Sequence, residues 1–387
     1  MKRIAVTVQW LIEWGGGIDL ARHIIQGLVE TNNNIYIFIP EKEQPGRNLF
    51  DKALRVLKRN MQYLAVKDLE AETHFAEFKN KVTIVHYRRN ALQSTIDKFK
   101  IDVALPCVRL PSISGQCEWV GYIPDCQHRH LSHLFTKREI QQRDRLFQNM
   151  VNTKKIILVN SIHTKKDLMA FYDADPDQVH NLPFCPTAEL EWLKNQHVQL
   201  KAYSLPNKYF MVSNQLWKHK DHITAFKALA LLANADIHIV CSGKMDDYRD
   251  LAYVDSLIKG VADLGLSGRV HFLGFIPKSE QIEILKNSLA IIQPTLFEGG
   301  PGGGCVYDAI AVGTPCILSN IEINKEVIGQ NIFYFQTGQA GDLAQALERF
   351  LSLNIIKPSI TELHQAHTKS LLLRTDSLDQ LIFKAAI

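Results

Sequence analysis

No Cys-x-x-Cys pair occurs among the seven cysteines, and an odd number cannot close completely into disulfides. Both facts suit a reducing cytoplasm better than a disulfide framework. No apolar run reaches the roughly 18 residues that a membrane-crossing helix needs. A net charge of +4 is too small to argue for nucleic acid, and no such partner is expected. The G-x-G-x-x-G spacing of a nicotinamide fingerprint is absent, although Gly15-Gly16-Gly17 follows the first expected strand. His128, His130 and His133 form a short histidine run with no second cluster along the chain, so no metal is expected. Met1-Lys-Arg before an apolar run superficially resembles a signal peptide. The run is short, however, and Gln9 and Glu13 follow it, so a first β-strand is expected there instead.

With 387 residues, 46% of them apolar and 22% charged, the chain has the size and composition of a two-domain globular protein. Short apolar runs alternate with helical periodicity throughout. In the first half, strands are expected at residues 4–8, 34–39, 81–87, 101–105, 120–123 and 155–161. Helices are expected at 19–30, 137–152 and 163–172. Asp173 to Asp177 has the aspartate repeat of a metal loop but reads as a turn because of Pro176, and residues 179–183 read as loop. A stripe of Phe50, Leu54, Leu57, Met61 and Leu64 makes residues 50–64 an amphipathic helix. Its basic residues offer a peripheral contact with an anionic membrane face, against the plainer reading of a charged side in water.

The second half centres on one stretch. An apolar run at 289–292 ends at Glu298, followed by Gly299, Gly300, Gly302, Gly303 and Gly304 around Pro301. A helix is expected at 305–312 and a strand from Thr314. Glycines let backbone approach a ligand closely, and the helix start that follows favours an anion such as a diphosphate. An anion alone does not call for Glu298 before the loop and Asp308 behind it. Ionised carboxylates only accept hydrogen bonds, so two of them suggest hydroxyl-rich partners such as a sugar and a ribose. The plainer reading, a structural crossover with glycines tightening the turn, leaves Glu298 unexplained.

This stretch resembles the donor-binding motif of family 4 retaining glycosyltransferases: acidic residue, glycine loop, second acidic residue on a helix, then Gly-Thr-Pro. The resemblance implies that Glu298 contacts the donor sugar and Asp308 the ribose. Here nine residues separate the two carboxylates where the family has seven, and the second is Asp rather than the commoner Glu. The family lysine that holds the diphosphate corresponds to Lys220, while Gln215 stands where an arginine is usual. Asp125, Gln127 and His128 match an Asp-x-Gln-His signature facing the cleft, with Pro124 replacing a family histidine whose role His128 is expected to take. Gly16 and Gly17 match the family's glycine turn under the cleft, near the donor phosphates or the acceptor.

The fold implied is α/β of the GT-B type: two facing Rossmann-like domains with the active site in the cleft between them. Residues 1–186 would bind acceptor and 187–356 the nucleotide sugar, with a helical tail at 357–387 packing back on the first domain. The function implied is a metal-independent, retaining hexosyltransferase with no cofactor. It would take a nucleotide-diphosphate sugar, GDP-mannose favoured, and a glycan or lipid-linked acceptor in cell-surface polysaccharide synthesis. The alternatives are a non-catalytic sugar-nucleotide-binding scaffold and a GT-B sugar-nucleotide epimerase.

Overall fold

The computed structural model describes residues 1–12, 15–41, 71–194 and 203–386. In the first half the elements run β1 (Arg3–Thr7), α1 (Gly15–Leu28), β2 (Asn34–Pro40), β3 (Thr83–Tyr87), α2 (Leu92–Phe99), β4 (Val103–Cys107) and β5 (Glu118–Tyr122). Then come α3 (Gln127–His130), α4 (Lys137–Asn152), β6 (Ile157–Val159), α5 (Ile162–Tyr172) and β7 (Val179–Asn181). The strands form one seven-stranded sheet in the order β3-β2-β1-β4-β5-β6-β7, every pair parallel.

The second half contains β8 (Tyr209–Ser213), α6 (His222–Leu231), β9 (His238–Ser242), α7 (Tyr253–Asp263), β10 (Val270–Phe272) and α8 (Lys278–Asn287). It continues with β11 (Ile291–Gln293), α9 (Gly304–Ala311), β12 (Cys316–Ser319), β13 (Ile332–Phe335) and α10 (Ala340–Ser352). Its six strands are again all parallel, ordered β10-β9-β8-β11-β12-β13. Strands buried on both faces read as continuous apolar runs, as β4 and β8 do, and helices cover them on each side. Both sheets reverse strand order once, between β1 and β4 and between β8 and β11. Loops leaving the carboxyl ends there diverge and open a crevice.

Two local expectations are corrected. Residues 179–181, read as loop, are strand β7, paired with β6 in register Ile157↔Val179. A three-residue strand is too short for its apolar pattern to show. Gly16 and Gly17, read as a turn before a helix at 19, lie inside the first turn of α1. The helix expected at 50–64, with its membrane contact, falls outside the described residues.

The chain closes with α11 (Ile360–Ala385), started by a capping box in which Ser359 and Glu362 satisfy each other's backbone N–H groups. This long helix leaves the second domain and lies across α1. Leu378, Leu381 and Ile382 enter the first domain's core, whereas Leu372, Leu373 and Phe383 stay in solvent. Arg374 is buried under the crossing, donating from Nη1 to Gln26 Oε1 at 2.8 Å and Thr187 Oγ1 at 3.2 Å, and from Nη2 to the Cys185 carbonyl. Truncating Leu378, fully buried here, to alanine is expected to lower stability by about 2–5 kcal/mol. A shift of the urea midpoint measures it. An unchanged midpoint would mean that the tail does not hold the first domain together.

Candidate active site

The crevice between β8 and β11, neighbours through Met211↔Ile291, carries the residues of greatest chemical interest. After β8 the chain makes a short 3₁₀ turn, Lys218–Lys220, stopped by Asp221 in the left-handed region at φ 50°. This aims Lys220 across the crevice, where its Nζ lies 2.5 Å from Glu298 Oε1. Both side chains are nearly buried, at 13% and 8% exposure, so the ion pair is largely shielded from water. The same Oε1 accepts from Gln293 Nε2 at 3.0 Å.

Gln293, fully buried at the end of β11, is the hub of this network. Its Nε2 also donates to the Gly302 carbonyl at 2.7 Å, and its Oε1 accepts from Asn214 Nδ2 at 2.5 Å. Asn324 Oδ1 accepts from Gly302 N–H at 3.0 Å. The glycine loop is therefore fastened at both edges before α9 begins. Gly303 must be glycine: its φ is +70°, and a Cβ would stand 2.9 Å from Glu298 Oε2. The first amides of α9 have no partner within the helix and present an anion-favouring end.

Asp308, one turn into α9, is also buried and pairs with Lys278 Nζ at 2.6 Å. Burial opposes the ammonium charge, but Asp308 and then Asp19 outweigh it and hold the Lys278 pKa above its ordinary value. Asp19 reaches in from α1, with its Oδ2 3.8 Å from where a Cβ on Gly304 would be. The N-terminal turn of α1, with Gly16 and Gly17, thus approaches the start of α9. His23 of α1 stacks on Tyr307 of α9 with centroids 5.7 Å apart.

The first domain closes the other wall. A Cβ on Gly299 would come within 2.7 Å of the Pro124 carbonyl and 3.1 Å of Asp125 Cβ, so the loop and the Asp125 turn touch across the cleft. Asp125 Oδ1 accepts from Gln127 N–H at 2.9 Å. Ser161 and Thr164 each place a hydroxyl 3.4 Å from the Gly299 carbonyl. Glu326 of the second domain takes the Ile162 and His163 N–H groups at 2.8 and 2.7 Å, capping the start of α5 from across the cleft.

Glu298, Lys220, Asp308, the five loop glycines and Asp125 are therefore brought together. His128 is not, and its expected role beside the sugar is corrected. Its ring is fully buried against Phe135 and Phe147, with Nε2 2.9 Å from Asp144 Oδ1 and 3.0 Å from the Tyr172 hydroxyl. The four-residue helix α3 turns the side chain inward, away from the cleft. Gln215 is half-buried beside the β8 end, with its carbonyl accepting from Trp217 N–H at 2.7 Å. Arg249 does not supply the missing charge. It is 10% exposed and engaged by Asp247 at 3.2 Å, His219 at 3.1 Å and Gln127 at 3.5 Å.

Gln293, Lys278 and Asp19 escaped the sequence reading, whereas Asn324 and Glu326 lie in a turn, 324–327, that resembles the family turn under the nucleotide. One of the three left a trace: Gln293 is the one polar residue of strand β11, and a fully buried amide needs partners. Lys278 and Asp19 carry no local signal, because their partners lie on other elements.

Comparison with known proteins agrees with this architecture. Residues 194–366 match the model of the family glycosyl transferases group 1. A D-inositol 3-phosphate glycosyltransferase of Corynebacterium glutamicum is 26% identical over 192 residues, 45% of this chain and 43% of the relative. The chain thus spans under half the length of the curated relatives it matches. Among solved structures, a glycosyltransferase from Rickettsia africae superposes with a TM-score of 0.66 at 14% identity, over 99% of this chain and 98% of the other. Anabaena HepE in complex with UDP and glucose gives 0.60 at 14% identity, over 100% and 97%. The chain has the GT-B fold, and the domain on its second sheet matches the glycosyl transferases group 1 family.

Proposed function

We propose that the protein is a family 4 retaining glycosyltransferase that moves a hexose from a nucleotide-diphosphate sugar to a glycan or lipid-linked acceptor. The observation that carries this reading is the buried Lys220–Glu298 pair at the mouth of the glycine loop, facing the start of α9. An ammonium and a helix N-terminus offer a diphosphate its charge complement without a metal. Beside them, the Asp308–Lys278 pair suits a ribose: the carboxylate accepts from one hydroxyl while the ammonium donates to its neighbour. Glu298 then orients the sugar hydroxyls, and Asp125 meets the sugar or acceptor from the first domain.

In the reaction the bond between the sugar's anomeric carbon and the diphosphate oxygen breaks, its electron pair leaving with the phosphate. The acceptor hydroxyl oxygen bonds to the same face of that carbon and gives its proton to the departing phosphate oxygen. Lys220 and the α9 amides stabilise the charge that develops there. The favoured donor is GDP-mannose, with cell-surface polysaccharide synthesis as the setting.

A thermal-shift panel with GDP, UDP, dTDP and ADP tests the donor site, with and without EDTA, on wild type and Lys220→Ala. A ligand at a hundred times its dissociation constant adds about 2.7 kcal/mol, which is a shift of a few degrees. One nucleotide is expected to raise the wild-type melting temperature by the same increment with or without EDTA, and Lys220→Ala to lose that increment. Silence from all four would sink the assignment. Binding without sugar transfer to any acceptor would make the protein a sugar-nucleotide-binding scaffold.

A further inference from the structure

His130, expected to belong with a histidine run that had no second cluster, meets that second cluster in space. Helix α5 places His163 and Asp167 four residues apart, hence on one face. The turn of α3 sets His130 against them. His130 Nε2 lies 2.8 Å from Asp167 Oδ2, and His163 Nε2 lies 3.9 Å from the same oxygen. All three ligand atoms fall within 4.8 Å of one another, a grouping unique among the described residues. Two atoms bonded to a tetrahedral zinc at about 2.05 Å stand about 3.3 Å apart. The two measured separations bracket that value.

We propose that His130, His163 and Asp167 form a zinc-type divalent-metal site on the wall beside the glycine loop, using none of the residues assigned to the donor. The donor set of two imidazoles and one carboxylate is one that zinc accepts, with solvent completing the shell. It is wrong for calcium or magnesium, which require oxygen ligands in greater number. The ligands are already held in place. Asp167 is buried, the His163 backbone N–H is bound by Glu326 at 2.7 Å, and the His130 ring packs between Phe171 and Phe297. Support of this kind orients a ligand before the metal arrives. A metal here ties α3 to α5 beside Phe297, the residue preceding Glu298, and stiffens the wall that meets the glycine loop.

The test is equilibrium dialysis of the tag-free full chain against ZnCl₂, with Co²⁺ as an optical probe of coordination. One metal per chain is expected, with the visible absorption of a low-coordinate cobalt site. His163→Ala and, independently, His130→Ala should each weaken binding beyond the roughly 10–100-fold that loss of an outer partner costs. His133→Ala, an exposed histidine outside the cluster, should bind like wild type. Both ligand histidines are partly exposed, so circular dichroism of the variants should match wild type. Zinc should raise the melting temperature of wild type and leave that of His163→Ala unchanged. Sub-stoichiometric binding, or equal affinity in wild type and a well-folded His163→Ala, would overturn the site. Neither outcome touches the nucleotide panel, which reads an increment independent of EDTA.

Discussion

Glu298→Gln is expected to cut sugar transfer by about 10²–10³-fold, the usual cost of removing one preorganised polar group from a transition state. The amide keeps the volume of the carboxylate and its contact with Gln293, so the loop should hold its shape. What goes is the negative charge 2.5 Å from Lys220. Without its counter-charge the ammonium is free for a diphosphate, so the nucleotide alone should bind as well as before or better. The signature is therefore a split: kcat falls while nucleotide affinity holds. A merely structural glutamate would instead lower the melting temperature and weaken both together. Unchanged transfer would remove Glu298 from the mechanism.

Acid should unfold this protein steeply. Burial depresses the His180 pKa from its ordinary 6.5 to about 4, helped by Lys384 and Lys165. His222 is pushed to about 3 by burial and then Lys220, and neither of its ring nitrogens has a hydrogen-bond partner among the described residues. His23 and His219 are lowered by burial as well. The sign follows from linkage. With the folded pKa below the unfolded one, the unfolded chain binds the proton first as pH falls. Nothing is lost above about 6.5, and stability declines from there down to the folded value. Each such histidine contributes about 1.4 kcal/mol per pH unit inside its window. His180 and His222 together give about 3 kcal/mol per unit between pH 6 and 4.5. Urea unfolding at a series of pH values measures the slope, and His222→Leu should flatten it by about one proton. An identical slope in that variant would mean that His222 is not held neutral.

Lys220 and Glu298 are 78 residues apart, and the family resemblance is what placed both at the donor; they meet because each lies on the loop that follows a strand beside the switch point. Strand ends on either side of a switch point meet in one crevice whatever the chain between them does. The Gln293 network was less visible, since a single amide announces that it needs partners without naming them. His128 misled for the opposite reason. A motif gives spacing along the chain, whereas the direction of a side chain leaving a four-residue helix depends on what packs around it, here Phe135, Phe147 and Asp144.

By itself, then, the sequence determined the alternation of strand and helix, the two-domain division and the glycine loop with its flanking carboxylates. These are properties of local periodicity, backbone freedom and charge, readable within a window of some twenty residues. Only the tertiary structure decided that Lys278 answers Asp308, that Glu326 caps a helix of the other domain, and that His130 joins His163 and Asp167. Each of these joins elements with no local signal linking them. Their meeting is set by how two sheets and their helices pack, which no short window of sequence contains.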